Sequence, residues 1–189
     1  MKICVYGASS NNIHMNFMEI TEELGYKIAT RGHTLVFGGG ANGLMGAVAR
    51  GVTRGNGEII GVAPTFFNVD GVLYKKCTKM IPTETMRERK QIMEDHSDAF
   101  IMTPGGIGTF EEFFEILTLK QLARHAKPIA IFNVNGFYDA MFSFLQQAID
   151  AGFMKEEAKD MYKVFTDADA LLDYLETDKR EAKLYKDIL

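Results

Sequence analysis

Residues 99–113 read AFIMTPGGIGTFEEF, an apolar run that meets three glycines within four positions and then two adjacent acids. The apolar run predicts a buried strand, the glycines predict a tight turn, and the residues after them have helical spacing. A strand that enters a helix through such a turn is typical of a parallel sheet covered by helices. The stretch therefore favours an α/β fold.

The same alternation of strand and helix runs along the whole chain. Further strands are predicted in KICVYG, HTLVFGGG, EIIGVAP, KPIAIFN and YKVFTD, with CTKMIP as a candidate short strand. Helices are predicted after the first two strands and over residues 83–96, 109–124, 137–151 and 168–175. We expect one doubly wound parallel sheet with helices on both faces, in a single domain of residues 1–175. The charged residues 176–189 are expected to form a helix or tail.

The composition is that of an ordinary globular protein. The chain has 189 residues, of which 47% are hydrophobic and 24% charged, and its formal net charge is −4. This balance argues against a surface that coats nucleic acid. Cys4 and Cys77 both lie in strand-like stretches and are expected to be buried thiols rather than a disulfide. The first apolar run is too short for a signal peptide or a membrane span, so we predict a cytoplasmic protein.

Three predicted strands end in small or glycine-rich turns, YGASSNN, FGGGANGLMG and TPGGIGTFEE. In a parallel sheet these turns emerge at one edge, and each leads into a helix whose first amides lack partners. Any one of these loops could be only a tight turn, but the three together predict a phosphate site.

The glycine spacing alone does not identify the phosphate compound. Gly38, Gly40 and Gly43 match G-x-G-x-x-G, which suggests a dinucleotide. The acid expected at the end of the following strand is missing, because EIIGVAP ends in residues 62–64, Val-Ala-Pro. A P-loop is excluded because no Gly-Lys-Ser/Thr occurs. A mononucleotide or a sugar phosphate fits better.

Two cations and one acid fall on helical rows that are otherwise apolar. Arg89 and Lys90 lie between Met86 and Met93 on an apolar helical stripe, so each needs an anion, an internal ion pair or a route to water. Glu112 shares its helical row with apolar residues and is expected to be enclosed, whereas Glu111 falls on an exposed row. Acids in a first helical turn are also favoured by the helix dipole, which is the alternative explanation for both.

Other kinds of site have little support. His14, His33, His96 and His125 show no metal-ligand spacing, so no metal is expected. No G-x-S-x-G motif occurs. The helix over 109–124 is apolar on two sides, since Leu119 and Leu122 lie away from the core stripe of Phe110, Phe114 and Leu117. We therefore expect at least a dimer.

With these residues in hand, the chain resembles the Lonely guy (LOG) family of cytokinin riboside 5′-monophosphate phosphoribohydrolases, long labelled lysine decarboxylases. PGGIGTFEE matches the family pattern P-G-G-x-G-T-x-x-E, MRERK looks like its Arg-Lys element, and GGGANGLMG and HSDAFI also fit. The similarity spans residues 2–151. It implies a Rossmann-like homodimer or higher oligomer, without a cofactor, that hydrolyses a nucleoside 5′-monophosphate to free base and ribose 5-phosphate.

The resemblance also implies roles for particular residues. By position, Arg89 and Glu112 look like the catalytic pair. The residues that look like nucleotide ligands are Lys90, Gly105, Gly106, Gly108, Thr109 and Thr118, with Ser9 as a weaker candidate. Glu112 would stabilise positive charge on the ribose and act on the attacking water. Arg89 would either neutralise the phosphate or hold the carboxylate and the sugar in place.

One departure from the family pattern leaves the identity of the substrate's base undetermined. Many members carry an acid just after the proline that ends the third strand, whereas this chain reads Pro64-Thr65-Phe66-Phe67. Adenine, prenylated adenine and other purines all remain possible. A nucleotide-binding or carrier protein without hydrolytic activity is the alternative from another class. Lysine decarboxylation has little support, because it needs pyridoxal phosphate on a Schiff-base lysine and Lys90 adjoins an arginine in a phosphate site.

Overall fold

The computed structural model describes residues 1–178, and its centre is one sheet of seven parallel strands. The strands are β1 Lys2–Tyr6, β2 Thr34–Phe37, β3 Ile59–Pro64, β4 Lys79–Thr83, β5 Ala99–Met102, β6 Ile129–Phe132 and β7 Lys163–Phe165. Their order across the sheet is β4-β3-β2-β1-β5-β6-β7, and every neighbouring pair is parallel. The predicted Rossmann-like doubly wound α/β fold is confirmed.

Within residues 1–178, six helices cover the two faces of the sheet. They are α1 Met15–Thr30, α2 Gly43–Arg54, α3 Met86–Asp95, α4 Ile107–Gln121, α5 Asp139–Asp150 and α6 Ala168–Thr177. Buried residues of α1, α2 and α6 form one core with the sheet, and those of α3, α4 and α5 form the other. Short 3₁₀ turns lie at Thr65–Phe67, Val134–Gly136 and Glu156–Met161.

The two helices that matter for the site begin at other residues than predicted. Thr83 pairs with Pro64 in the sheet, so α3 starts three residues later than expected. Thr85 caps that helix, because its hydroxyl accepts a hydrogen bond from the Glu88 amide at 3.1 Å. In contrast, α4 starts at Ile107, two residues earlier than expected, so the first helical turn includes part of the glycine stretch.

Strand β1 lies at the point where the strand order reverses. It pairs with β2 on one side and with β5 on the other, where Ile3 is aligned with Ala99. The turns after β1 and β5 therefore emerge side by side and are bonded to each other, since the Ala8 amide donates to the Pro104 carbonyl at 3.1 Å. Ligands of doubly wound sheets bind at such a reversal, beyond the carboxyl ends of the strands.

Both cysteines are free thiols, as expected. Cys4 is fully buried and Cys77 is partly buried. Within residues 1–178 no helix combines the length and the hydropathy that a bilayer span requires. In the same range no group of three or more His, Cys, Asp or Glu side chains is arranged to hold a metal ion. Of the charged segment 176–189, residues 179–189 lie outside the described part of the chain.

Candidate active site

A cavity of about 630 Å³ opens at the carboxyl edge of the sheet, beside the strand reversal. The turns after β1, β2 and β5 line it, together with the first turns of α3 and α4. Part of the segment between β3 and β4 also contributes to the lining. The three glycine-rich turns predicted to meet at one edge thus border a single space.

Arg89 and Glu112 meet in this cavity as a buried ion pair. Nη1 of Arg89 donates to Oε1 of Glu112 at 2.7 Å, and Nε donates to the Val62 carbonyl at 3.2 Å. The two residues are only 6% and 9% exposed. The anion that the apolar surroundings of Arg89 require is therefore Glu112, carried by the next helix along the chain.

The surroundings of Glu112 oppose its ionisation. Burial raises its pKa above the ordinary glutamate value, and the Arg89 guanidinium partly offsets that rise. Glu111 contrasts with it, because that side chain is about half exposed and pairs with Lys90. The predicted difference between the two adjacent acids is confirmed, and only Glu112 is an enclosed carboxylate.

The N-terminus of α4 faces the cavity with open space around it. The amides of Ile107, Gly108 and Thr109 belong to the first turn, where no carbonyl of the helix can reach them. A Cβ placed at Gly106 or Gly108 would meet no atom of the described chain within 4 Å. Protein packing therefore does not require these two glycines, and the space beside them is available to an anion.

The second glycine loop has a different role from the one expected. The first amides of α2 are already bonded, Gly43 to Asn11 Oδ1 at 2.9 Å, and Leu44 and Met45 to the Ala8 carbonyl at 2.8 and 3.2 Å. Gly43 has a φ of 58° and lies against the backbone of residues 8–10. The expectation that this helix also presents unpaired amides is wrong, since the neighbouring loop uses them.

Most of the residues singled out from the sequence reach the cavity. Its lining includes Ser9, Arg89, Gly106, Gly108, Thr109 and Glu112. Gly105 is buried behind the turn. Lys90 and Thr118 lie outside the lining: Lys90 forms ion pairs with Glu111 and, at 2.8 Å, with Glu115, and Thr118 is exposed further along α4.

One side of the cavity is apolar and carries no motif. Phe67, Val72, Leu73 and Met86 line it, together with Met45 of α2. The departure from the family pattern after Pro64 links this segment to the base, and the position of residues 67–73 after β3 gives a reason, because parallel strands deliver their following segments to the ligand edge. Met86 was assigned to an apolar stripe of α3, yet it is 41% exposed at the cavity.

Comparisons with known proteins show the family of the chain. The family model described as "possible lysine decarboxylase" matches residues 45–175. The cytokinin riboside 5′-monophosphate phosphoribohydrolase LOG2 of Arabidopsis thaliana is 35% identical over 175 residues, which cover 93% of this chain and 82% of LOG2. The chain belongs to the LOG family. The rice (Oryza sativa subsp. japonica) enzyme LOG, named for the same activity, is 40% identical over 158 residues, 84% of this chain and 65% of that protein.

Solved structures support the fold of this LOG-family chain. The molybdenum cofactor binding protein of Rippkaea orientalis superposes with a TM-score of 0.72 at 19% identity, covering 93% of this chain and 95% of that one. The molybdenum cofactor carrier protein of Chlamydomonas reinhardtii gives 0.69 at 24% identity, covering 94% and 98%. At these identities the likeness concerns the scaffold alone.

Proposed function

We propose that this LOG-family chain hydrolyses the N-glycosidic bond of a purine riboside 5′-monophosphate, of the adenosine or cytokinin type, and releases the base and ribose 5-phosphate. The observation that carries the proposal is the buried Arg89–Glu112 pair, which shares one cavity with the open N-terminus of α4. Relatives at 35% and 40% identity are named for this reaction on cytokinin nucleotides.

The N-terminus of α4 would hold the 5′-phosphate. Amides of residues 107–109, the Thr109 hydroxyl and the Ser9 hydroxyl are donors at this end of the cavity, and the helix dipole adds to the attraction for an anion. Thr109 is nearly fully buried, so its position is fixed by packing. A phosphate fixed here positions the attached sugar relative to Glu112, which lies one turn further along the same helix.

Glu112 would act at the sugar. Cleavage of the bond builds positive charge on the ribose, and a carboxylate in a desolvated site stabilises that charge strongly. The same carboxylate can accept a proton from the attacking water, whose oxygen bonds to C1′ while the base leaves with the bonding electron pair and takes a proton from solvent. Of the two roles open to Arg89, its 2.7 Å bond to Glu112 supports the one that holds the carboxylate in place.

The apolar wall would contact the base. Phe67, Val72, Leu73 and Met86 offer surface to a flat ring or to an apolar substituent. The acid that many members carry after the proline of β3 is replaced by Thr65, followed by two phenylalanines. Recognition of the base would therefore depend on shape and burial rather than on a carboxylate at this position.

A homodimer is the proposed assembly. Leu122, at the end of α4, is 43% exposed, as expected, whereas Leu119 packs against the core and Phe114, expected on the inner stripe, is 37% exposed. Phe114 and Leu122 therefore give this helix an apolar outer surface besides the inner one that packs on the sheet. A helix that is apolar on two sides fits a buried position between two layers.

A hydrolysis panel tests the function. AMP, N6-prenylated AMP and other nucleoside monophosphates are incubated with the protein, with the matching nucleosides as controls, and released base is quantified by chromatography. Base should appear from monophosphates and far more slowly from nucleosides. Equal rates on nucleosides would contradict the phosphate anchor. A nucleotide that binds but stays intact across the panel would identify a carrier instead.

A further inference from the structure

Behind the glycine turn, on the side away from the cavity, lies the hydroxyl of Tyr138. This residue immediately precedes α5 and is 1% exposed. Its Oη donates to the Thr103 carbonyl at 2.8 Å. The hydroxyl thus holds the backbone at the point where β5 ends and the chain turns toward α4.

Tyr138 is itself held firmly. Its amide donates to Oδ1 of Asn133 at 2.8 Å, and Nδ2 of Asn133 donates to Oδ1 of Asp139 at 2.7 Å. The ring packs edge-on against Phe110 of α4, with 5.8 Å between the ring centroids. The end of β6 therefore fixes the backbone of Tyr138, and α4 fixes its ring.

The hydrogen bonds divide the turn into two parts. In residues 103–104 the backbone is bonded within the protein: the Thr103 amide donates to Tyr6, the Pro104 carbonyl accepts from Ala8, and the Thr103 carbonyl accepts from Tyr138. Residues 107–109 instead line the cavity, and their amides have no partner within the helix. The bonded part determines the direction in which the second part points.

We propose that Tyr138 is a positioning residue for phosphate recognition: its hydroxyl braces the turn and thereby aims the amides of residues 107–109. The identity of the anion as a 5′-phosphate rests on the proposed function. Removing the hydroxyl would leave the buried Thr103 carbonyl without this donor, and the turn would shift to satisfy it. Tyr138 touches no substrate and acts only through the turn.

The variant Tyr138→Phe tests the proposal, because it keeps the ring and its packing. Ribose 5-phosphate binding is measured by calorimetry, together with KM and kcat for AMP. We expect a Kd about tenfold weaker and a correspondingly higher KM, the size of effect that follows when a buried hydrogen bond is lost, with a smaller change in kcat. Unchanged ribose 5-phosphate binding would overturn the proposal.

Tyr162→Phe is the matched control. Tyr162 is also buried and packs edge-on against an aromatic ring of α4, Phe113, but it lies before β7 and away from the turn. Its variant should bind ribose 5-phosphate within about twofold of wild type, because no part of the turn depends on it. Equal weakening in both variants would show a general packing effect and would overturn the specific role of Tyr138.

Amide hydrogen exchange of the wild-type protein gives a second test that requires no variant. Amides 107–109 should exchange fast without ligand and become protected when ribose 5-phosphate is added. Absence of this protection would overturn the proposal even if Tyr138→Phe failed to fold.

The outcomes separate this inference from the proposed function. The proposed hydrolysis alone would be refuted if the wild type cleaved no monophosphate but its ribose 5-phosphate binding still depended on Tyr138. The role of Tyr138 alone would be refuted if Tyr138→Phe showed normal hydrolysis and unchanged binding.

Discussion

The guanidinium of Arg89 lies against the α-carbon of Gly38, so closely that a Cβ at Gly38 would stand 1.7 Å from Nη2. With the Val62 carbonyl and Glu112 as hydrogen-bond acceptors, the guanidinium is held from three directions. A glycine that matches a dinucleotide-binding pattern by its spacing therefore makes room for a cation of the protein itself.

Gly38→Ala should displace Arg89 and leave Glu112 without its partner. We expect kcat/KM on the best substrate of the panel to fall on the order of 10²-fold, as when one electrostatic group of an active site is lost. Gly40→Ala is the comparison, because a Cβ there would meet only Met45, at 3.5 Å, in ordinary contact. Equal activity of the two variants would refute the steric role of Gly38.

Glu112→Gln should retain ligand binding and lose hydrolysis. The amide keeps the shape of the side chain but supplies neither negative charge nor a base, so kcat should fall on the order of 10²–10³-fold. Ribose 5-phosphate affinity, measured by calorimetry, should change little. Glu115→Gln is the control, since its carboxylate is partly exposed on α4 and lies outside the cavity lining. Near-normal base release by Glu112→Gln would remove Glu112 from the mechanism.

The value of kcat/KM should fall at low pH because Glu112 becomes protonated. Only the carboxylate form can act as proposed, and burial raises its pKa above the ordinary value of 4.5. As pH falls through this raised pKa, Glu112 takes up a proton and kcat/KM should decline, reporting the free protein. The residual activity of Glu112→Gln should lack this decline. A wild-type profile that stays flat down to pH 4.5 would contradict the prediction.

His125 should make stability depend on pH. Burial lowers its pKa to about 4, while its Nε2 bonds to the Ile116 carbonyl at 2.9 Å. The unfolded chain, with a pKa near 6.5, binds this proton more readily, so stability is lost as pH falls from about 6.5 to about 4. The loss should approach about 3 kcal/mol at 1.36 kcal/mol per pKa unit.

Urea unfolding of wild type and His125→Gln across this pH range measures the effect. Glutamine can still donate to Ile116 but does not titrate, so the variant should show a shallower decline. Parallel curves would show that other groups cause the pH dependence.

The sequence predicted the fold because its signals are local and redundant. Short apolar runs such as β5, each followed by a small-residue turn, specify a parallel sheet without knowledge of distant contacts. The different environments of Glu111 and Glu112 were also readable, since the rows of a helix follow from its 3.6-residue period.

The sequence could not show which glycines face a ligand and which face protein. Gly43 and Gly108 look alike in the sequence, but an amide network with residues 8–11 fills the space beside the first and leaves the second open. The same limit applies to Arg89 and Lys90, which share a stripe by spacing. The packing of α4 against α3 decides that Arg89 enters the cavity and pairs with Glu112, whereas Lys90 pairs with Glu115 outside it.

The pairing of β1 with β5 has a consequence for synthesis of the chain. These neighbours are separated by almost a hundred residues, so a nascent polypeptide that has released only β1 to β4 presents the bare edge of β1. The tyrosine brace comes later still, from beyond β6. No fragment that lacks α4 contains the complete cavity, so a nascent chain can capture the ligand only after residues as far as Glu112 and Tyr138 have been made.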